Sequence, residues 1–340
     1  MNNKALRVGI VGVGAISKEM APAFSSNPSI NVVALVDYNV KALQEAKELY
    51  PDAVGYTELL SCLGSSQLDA VVVNTPAIAH FADVMLVLNH GVHCLVAKPI
   101  TSRLSDALEM VNAAKNAGKT LCVAEQIRFN DHFTAVRKIL DSNVIGTAES
   151  IILMNSKPRP NVGSLKDREH VTLDEMSTHH IDILRSLIDD IAEVSVVCDE
   201  FNPSWSRYAN GGMVNAIFVF GGLVHVVYQG GVCAQTPMYE LRIEGSLGSL
   251  RCRGEHMSYG TIEYELSSAE GSFVRMDLNA SPSGSDPWDR FLPQWVDYIL
   301  GGAEPSFSGR RNLRVLELIE AAHESIKKGA VVRVPAPCAN

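Results

Sequence analysis

Short runs of apolar residues alternate with stretches of helical periodicity in the first half of the chain. Because these runs are continuously apolar, they are typical of strands in a parallel sheet that helices cover on both faces. The pattern predicts an α/β Rossmann domain, with a doubly wound parallel sheet, over residues 1–124. Its predicted strands lie at 5–11, 31–36, 68–73, 92–96 and 120–124, and its predicted helices at 15–26, 40–50, 79–89 and 104–117.

The pattern changes after residue 124, where strands become more frequent than helices. Turns such as Phe220-Gly221-Gly222-Leu223 predict hairpins between consecutive strands. Residues 125–340 are therefore expected to form an α+β domain, with a large, mostly antiparallel open sheet, for substrate binding and oligomerisation. Its predicted strands lie at 149–155, 193–198, 213–220, 223–230, 239–244, 249–253, 260–266 and 273–278, and its predicted helices at 134–142, 172–188 and 311–328.

The strand predicted at 213–220 has apolar residues on both of its faces. Ile217 and Val219 alternate with Val214, Ala216 and Phe218, and the next strand has the same character. A sheet that is apolar on both faces needs two covers. Helices of the same domain can supply one cover, and a second subunit would supply the other. The pattern therefore predicts a homodimer or a homotetramer.

Composition and charge exclude several classes of protein. The 340 residues include 29 Lys and Arg against 38 Asp and Glu, and this net charge of −9 disfavours a nucleic-acid-binding surface. The longest apolar run, 213–228, is interrupted by polar residues and glycines, so no membrane span is predicted. Seven cysteines without a CxxC pair disfavour a metal motif and a disulfide framework. The first strand begins too early for a signal peptide, and a cytoplasmic protein is expected.

A glycine-rich turn follows the first predicted strand and opens the first predicted helix. Gly12-Val13-Gly14-Ala15-Ile16-Ser17 fits the pattern G-x-G-x-x-[G/A] except at Ser17, and Asp37 ends the second strand 25 residues after Gly12. Such a turn brings the backbone and a helix N-terminus close to a pyrophosphate, and the carboxylate binds ribose hydroxyls. The arrangement predicts a dinucleotide site. NAD is favoured over NADP, because Asp37 would repel a 2′-phosphate and is followed by Tyr38, not by arginine.

Polar residues also follow three later strands, at the edge where parallel sheets bind ligands. They are Asn74-Thr75-Pro76, Ala97-Lys98-Pro99 and Glu125-Gln126-Ile127-Arg128-Phe129. Because proline follows it, Lys98 is expected to be extended and to lie over the site. The alternative is a surface lysine that caps a strand.

The helix predicted at 172–188 distinguishes two neighbouring histidines. Glu175, His179 and Asp182 fall on one polar stripe, whereas His180 falls among the apolar residues of the packing face. His179 can therefore be oriented by carboxylates, as a general acid or base requires. Glu175 has an alternative role, because Thr172-x-x-Glu175 fits a capping box. No HExxH motif is present, so no metal site is predicted.

Taken together, these segments resemble the Gfo/Idh/MocA (glucose–fructose oxidoreductase/inositol dehydrogenase) family of NAD(P)-dependent oxidoreductases over nearly the full chain. Their order and spacing are specific, although no single segment is. They are residues 7–16, Asn74-Thr75-Pro76 with His80, Lys98-Pro99, and residues 126–129, 139–146, 179–184, 244–248 and 320–322.

The resemblance implies a dehydrogenase that transfers a hydride between NAD and a sugar, a cyclitol or a related polyol or keto-sugar. In the family, the lysine of a Glu-Lys-Pro motif and an Asp-x-x-x-His pair form the catalytic group. These match Lys98 and, by spacing, Glu175 with His179, and Asp182 is a further candidate to orient His179. The residues expected to bind the cofactor are Gly12, Gly14, Ala15, Ile16, Asp37, Tyr38, Asn74, Thr75, Pro76, His80, Lys98 and Gln126.

Departures from the family pattern predict a substrate pocket unlike that of a standard inositol or glucose dehydrogenase. Ala97 replaces the glutamate of the lysine motif, Glu175 replaces aspartate, and residues 161–168 lack the usual glycine-rich approach. Two alternative functions therefore stay open. One is an NAD-binding regulator without catalysis, which Ala97 favours and the retained Lys98 and His179 oppose. The other is an NAD-dependent glycosidase of the same family.

Overall fold

The computed structural model describes residues 5–159, 163–188, 192–269, 271–276 and 286–337, apart from the side chain of Ser164. The chain divides into two compact units. Unit 1 consists of Met1–Gln126 and Ser285–Leu313, and unit 2 of Ile127–Gly284 and Arg314–Asn340. The sequence pattern places one boundary after residue 124, whereas in the structure a later segment returns to unit 1.

Unit 1 contains the predicted Rossmann fold. Its strands are β1 (Leu6–Val11), β2 (Ile30–Val36), β3 (Val54–Tyr56), β4 (Ala70–Val73), β5 (His93–Val96) and β6 (Leu121–Val123), and the helices between them are α1 (Ala15–Ser26), α2 (Val40–Leu49), α3 (Leu59–Ser65), α4 (Ala77–Asn89) and α5 (Leu104–Ala117). All six strands are parallel, in the order β3-β2-β1-β4-β5-β6. The sequence pattern missed β3 and α3, because both are short and only partly buried.

The returning segment adds one helix, α9 (Pro287–Ile299), to unit 1. Trp288 and Trp295 of α9 are buried, and their rings lie 6.5 and 6.1 Å from the ring of Phe24 on α1. This aromatic packing holds the segment against the Rossmann fold. The sequence pattern contained no prediction of α9, because Pro293 interrupts its helical periodicity.

Unit 2 contains the predicted open sheet. Its strands are β7 (Ala148–Pro158), β8 (Val194–Phe201), β9 (Met213–Phe220), β10 (Val224–Gly231), β11 (Cys233–Gly245), β12 (Gly248–His256), β13 (Tyr259–Ser268), β14 (Val274–Met276) and β15 (Val332–Val334). They form one sheet in the order β14-β13-β12-β11-β7-β10-β9-β8-β15, antiparallel except between β7 and β10. The hairpin predicted at Gly221-Gly222 is confirmed, since both glycines have positive φ. Residues 277 and 278 of the predicted last strand lie outside the described residues, and β15 was not predicted.

Helices cover one face of this sheet. They are α6 (Asp131–Asp141), α7 (Val171–Glu175), α8 (Ser177–Leu187) and α10 (Gly309–Lys328). Most of α10 belongs to unit 2. Their apolar residues form one core with alternate residues of the strands, such as Val196, Phe218 and Val226. The intervening strand residues Val197, Ile217 and Val227 are 41%, 47% and 48% exposed. One face of the sheet is therefore open within the described part of the chain.

The helix predicted at 172–188 is divided into α7 and α8 by a break at Met176. The predicted capping box is wrong, because α7 begins after His170 and Thr172 lies inside it. The Thr172 hydroxyl instead donates to the carbonyl of Gly212 at 2.9 Å, and Glu175 accepts a hydrogen bond from Arg168. Tertiary contacts therefore take the groups that a capping box would use.

Candidate functional site

The glycine-rich turn after β1 has the geometry of a dinucleotide-binding loop. Gly12 has φ of +80°, and a Cβ there would lie 2.8 Å from the backbone of Asn74 and Thr75. Only glycine fits this position, because the turn packs directly against the end of β4. A Cβ at Gly14 would meet no atom within 4 Å. The backbone at the start of α1 is therefore open on the side where a phosphate can approach a helix N-terminus.

Ser17 explains the departure from the glycine motif. It is buried, its hydroxyl donates to the carbonyl of Gly12 at 2.5 Å, and it accepts from the Asn74 amide at 2.9 Å. The serine therefore joins the turn to the end of β4. A hydroxyl at this position supports the loop and does not disturb it.

Asp37 lies at the end of β2, next to the glycine-rich turn. Its Oδ2 accepts from the backbone N–H of Val13 at 3.0 Å, and its Oδ1 accepts from the N–H of Asn39 at 2.9 Å. Each carboxylate oxygen can accept a second hydrogen bond, so both can also bind ribose hydroxyls. The next residue, Tyr38, is 89% exposed. Gly12, Gly14 and Asp37 thus fit the pyrophosphate and one ribose of NAD.

His80 connects the loops that follow β4 and β5. It is 1% exposed, with Nε2 at 2.7 Å from the Thr75 carbonyl and Nδ1 at 2.8 Å from the Pro99 carbonyl. Burial lowers the pKa of His80. The N–H of the neutral ring can donate to one of the two carbonyls, so His80 is held between the loops that carry Thr75, Pro76 and Lys98. A direct contact between His80 and the cofactor stays a prediction.

Lys98 lies directly after β5 and is half-buried. The backbone N–H of Ala97 bonds to the Val73 carbonyl at 2.8 Å, so the sheet continues to the residue before the lysine. Gln126 begins a short 3-10 turn, Gln126–Phe129, after β6. These residues lie at the carboxyl ends of neighbouring strands, where the sequence predicted them.

On α8, His179 is half-buried and His180 is fully buried. His180 Nε2 lies 2.9 Å from the Asn155 amide nitrogen, and Nδ1 lies 2.7 Å from the Tyr228 hydroxyl. The Tyr228 hydroxyl also lies 2.7 Å from the hydroxyl of Ser177. This network assigns a structural role to His180, which agrees with the prediction that it belongs to the packing face.

The protons in this network have a defined order. The amide nitrogen of Asn155 can only donate, so Nε2 of His180 accepts and its Nδ1 carries the proton. The Nδ1–H then donates to Tyr228, which donates to Ser177, whose hydroxyl lies 3.2 Å from the Thr172 carbonyl. Burial raises the pKa of Tyr228, which therefore stays protonated. The chain of bonds joins the sheet to both sides of the α7–α8 break.

The two carboxylates of the predicted polar stripe each bind an arginine. Asp182 is 1% exposed and accepts from Arg128 Nε at 2.6 Å and also from Arg128 Nη2. Glu175 accepts from Arg168 Nη1. The role of either carboxylate in orienting His179 stays a prediction. The sequence pattern did not predict Arg128 as a partner of Asp182, although Arg128 lies in one of the segments that resemble the family.

Of the atypical segment 161–168, residues 161 and 162 lie outside the described residues, and Gly163–Leu165 form a short 3-10 turn. Within the described ranges, no group of three or more His, Cys, Asp and Glu side chains has the arrangement of a metal site. No described helix combines the length and apolar character that crossing a membrane requires.

Comparison with known proteins identifies the family. The model of the oxidoreductase family with an NAD-binding Rossmann fold matches residues 6–125, and that of the GFO/IDH/MocA C-terminal domain matches residues 133–251. The chain is 25% identical to a D-apiose dehydrogenase of Paraburkholderia graminis, over 97% of this chain and 90% of that protein.

Solved structures share the fold. An oxidoreductase from Agrobacterium radiobacter in complex with NAD+, L-tartaric acid and magnesium has a TM-score of 0.84 and 22% identity, covering 97% of this chain and 98% of that one. The WlbA dehydrogenase from Bordetella pertussis in complex with NADH and UDP-GlcNAcA has a TM-score of 0.83 and 22% identity, with 100% of both chains covered. The chain belongs to the GFO/IDH/MocA family of oxidoreductases, and its unit 1 is the NAD-binding Rossmann domain.

Proposed function

We propose that this protein is an NAD-dependent dehydrogenase that oxidises a hydroxyl group of a sugar, a cyclitol or a related polyol, or reduces the corresponding ketone. The observation that carries the proposal is the loop of Gly12 and Gly14 with Asp37 hydrogen-bonded to it. Family membership supports an oxidoreductase, and the D-apiose dehydrogenase relative supports a polyhydroxylated substrate. When bound, the nicotinamide accepts or donates the hydride.

We assign proton transfer to His179 and Lys98. Oxidation of an alcohol requires a base that takes the hydroxyl proton. His179 suits this role because an imidazole changes its charge near neutral pH. Lys98 suits the stabilisation of negative charge on the same oxygen, because its ammonium is a compact positive charge. Glu175 and Asp182 are the candidates to orient His179, and each of them also binds an arginine.

A turnover screen tests the proposed function. Purified protein is mixed with NAD+ or NADP+ and with a panel of aldoses, ketoses, cyclitols, aminosugars and sugar acids, and NADH formation is followed by absorbance. We expect turnover with NAD+ for at least one polyhydroxylated substrate, and a kcat lower by about two to four orders of magnitude with the Lys98→Met variant. NAD+ binding without turnover of any substrate would instead support the regulator. Release of sugar from a glycoside without net NADH formation would support the glycosidase.

We further propose that the enzyme is a cytoplasmic homodimer or homotetramer. The six cysteines among the described residues are free and buried, which suits a reducing compartment where structural disulfides are rare. The open face of the unit 2 sheet carries exposed apolar residues, including Ile217 and Val227. A second subunit would cover this face.

A further inference from the structure

Two cationic side chains project from the same face of the chain at the end of β7. Alternate residues of a strand project to the same side, so Leu153, Asn155, Lys157 and Arg159 form one row. Leu153 and Asn155 are 0% exposed, whereas Lys157 and Arg159 are half-buried. The backbone N–H of Arg159 bonds to the Val232 carbonyl at 2.9 Å, so the strand geometry continues to Arg159.

This row faces α8, the helix that carries the proposed base. Asn155 contacts His180 at 2.9 Å, and His180 is the immediate neighbour of His179. Lys157 lies two residues beyond Asn155, which is roughly 7 Å along a strand. The two cations therefore lie one and two positions along the row from the residue that contacts His180.

An aromatic ring lies beside Lys157. The Lys157 ammonium lies 5.6 Å from the centre of the Tyr259 ring, and this ring stacks on His256 at 4.3 Å. Burial, and then the positive charges of Lys157 and Arg159, lower the pKa of His256 to about 4. His256 is therefore neutral at physiological pH, and the charges that act on it are both positive.

Arg159 differs from most arginines of unit 2 in its partners. Arg128, Arg168 and Arg251 each form an ion pair with a carboxylate. Among the residues that the structure describes, no carboxylate lies within ion-pair distance of the Arg159 guanidinium. A half-buried charge without a counter-charge is costly, and an anionic ligand would remove that cost.

The local sequence is also rich in cationic residues. Lys157, Arg159, Lys166 and Arg168 all lie within residues 157–168 of a chain whose net charge is −9, and of these Arg168 is paired with Glu175. Lys157 and Arg159, which lie on one face of the strand, would attract anions.

We propose that the end of β7 binds an anionic oxygen group of the substrate, a carboxylate or a phosphate, through Arg159 and Lys157. The enzyme then acts on an acidic sugar in preference to its neutral counterpart. The planar guanidinium of Arg159 binds two oxygens of such a group side by side, and Lys157 adds a point charge. The inference rests on the proposed dehydrogenase function, because it assumes that the substrate hydroxyl reacts beside His179.

Matched ligands test this subsite. Binding to the protein with NAD+ is measured by calorimetry for D-glucose, D-glucuronate and D-glucose 6-phosphate, for D-galactose and D-galacturonate, and for L-tartrate. We expect at least one anion to bind tenfold or more tightly than its neutral counterpart or, for L-tartrate, than neutral erythritol. Arg159→Gln and Lys157→Gln should each weaken that binding about tenfold, or about 1.4 kcal/mol, without changing NAD+ affinity. Comparing the uronates with the sugar phosphate identifies the anion.

Control variants distinguish loss of the subsite from loss of the fold and from failure of the proposed function. Arg253→Gln, on the opposite face of the same sheet, should leave anion binding unchanged. Arg159→Lys, which keeps the charge but loses the planar fork, should have an intermediate affinity and reports on the site if Arg159→Gln is unstable. Absence of Arg159-dependent binding across the whole panel overturns the subsite, even where a neutral sugar is oxidised. Arg159-dependent binding without NADH formation from any substrate supports the subsite and contradicts the dehydrogenase.

Discussion

Single residues decide the choice of cofactor. Asp37 is fixed by the N–H groups of Val13 and Asn39, so its negative charge cannot easily move away from a 2′-phosphate. We expect wild-type protein to bind NAD+ more tightly than NADP+, and Asp37→Ser to reduce this preference by roughly 10- to 100-fold, since a nearby like charge costs about 1–3 kcal/mol. Fluorescence titration of both dinucleotides measures the ratio. Asp52→Ser, at an exposed position of unit 1, is the control. Tighter binding of NADP+ by wild-type protein would contradict the assignment.

Two residues are expected to carry the proton chemistry. Lys98→Met and His179→Ala should each reduce kcat by about two to four orders of magnitude, the usual range for removal of an acid or base. NAD+ affinity should change little, since neither substitution alters the glycine-rich loop, although Lys98 is among the residues expected to bind the cofactor. Steady-state kinetics on the substrate found by the screen, together with NAD+ titration, measure both effects. Lys115→Met and His90→Ala are matched exposed controls. Turnover that survives both active-site substitutions would refute the assignment.

Local spacing along the sequence could predict some residues of the candidate site but not others. Gly12 and Asp37 were predictable because a motif of fixed spacing contains both the turn and the carboxylate. Ser17 looked like a defect, and only its bonds to Gly12 and Asn74 explain it. The partner of Asp182 is 54 residues away at Arg128, a distance that no local spacing rule covers.

At the scale of elements, the α7–α8 break depends on a buried tyrosine. Tyr228→Phe would remove the buried hydroxyl that contacts both His180 Nδ1 and the Ser177 hydroxyl. An unsatisfied buried polar group costs about 1–3 kcal/mol, so we expect a loss of stability of that size in urea unfolding. We also expect a lower kcat, because His179 lies on the same short helix as His180. Tyr56→Phe, whose half-buried hydroxyl lies 3.0 Å from Ser66, should have a smaller effect and serves as control. Equal stability of the two variants would refute the network.

A buried histidine makes α6 sensitive to acid. His132 lies between the hydroxyls of Tyr264, at 2.9 Å, and Tyr239, and burial lowers its pKa to about 3. Between pH 6.5, its usual pKa in an unfolded chain, and pH 3, the unfolded state binds more protons than the folded state. The stability that the neutral His132 contributes is thus present above pH 6.5 and lost as pH falls toward 3.

His132→Gln tests this proton linkage. The free energy of unfolding of wild-type protein should fall with decreasing pH, with a contribution from His132 that approaches about 1.4 kcal/mol per pH unit. The variant should be less stable at pH 7 but should lose stability less steeply between pH 6.5 and 4.5. Urea unfolding at several pH values gives both slopes. His90→Gln, at an exposed position, should keep the wild-type slope, and equal slopes for His132→Gln and wild type would contradict the argument.

Periodicity predicted the long elements well and the interrupted ones poorly. The strand predicted at 213–220 matches β9 (Met213–Phe220), because its apolar alternation is uninterrupted and a Gly-Gly turn ends it. The single helix predicted at 172–188 was wrong at Met176, because a helical wheel does not report the contacts that break a helix. The exposed three-residue strand β3 and the proline-containing α9 carry too weak a pattern to be recognised.

At the scale of the whole molecule, the open face of unit 2 points to assembly. Val197, Ile217, Val227 and Ile152 are directly paired across four adjacent strands, which makes an apolar row on this face. Beyond this row, β11 and β12 carry Arg242 and Arg251 on the same face, followed on β13 by Glu265. An apolar centre with a charged margin is typical of a protein interface, and a stable one buries about 800 Å² per partner.

The assembly is predicted to depend on the apolar row. Sedimentation or light scattering at micromolar concentration should find wild-type protein as a dimer or tetramer. Ile217→Asp with Val227→Asp should shift it to monomers, because two carboxylates at the centre of the row would lose their water in the interface. Leu223→Asp, at the turn before β10 and 78% exposed, is the matched control and should keep the wild-type assembly. Far-UV circular dichroism checks that the double variant is folded. A monomeric wild-type protein, or a folded double variant with unchanged assembly, would mean that this face is not the interface.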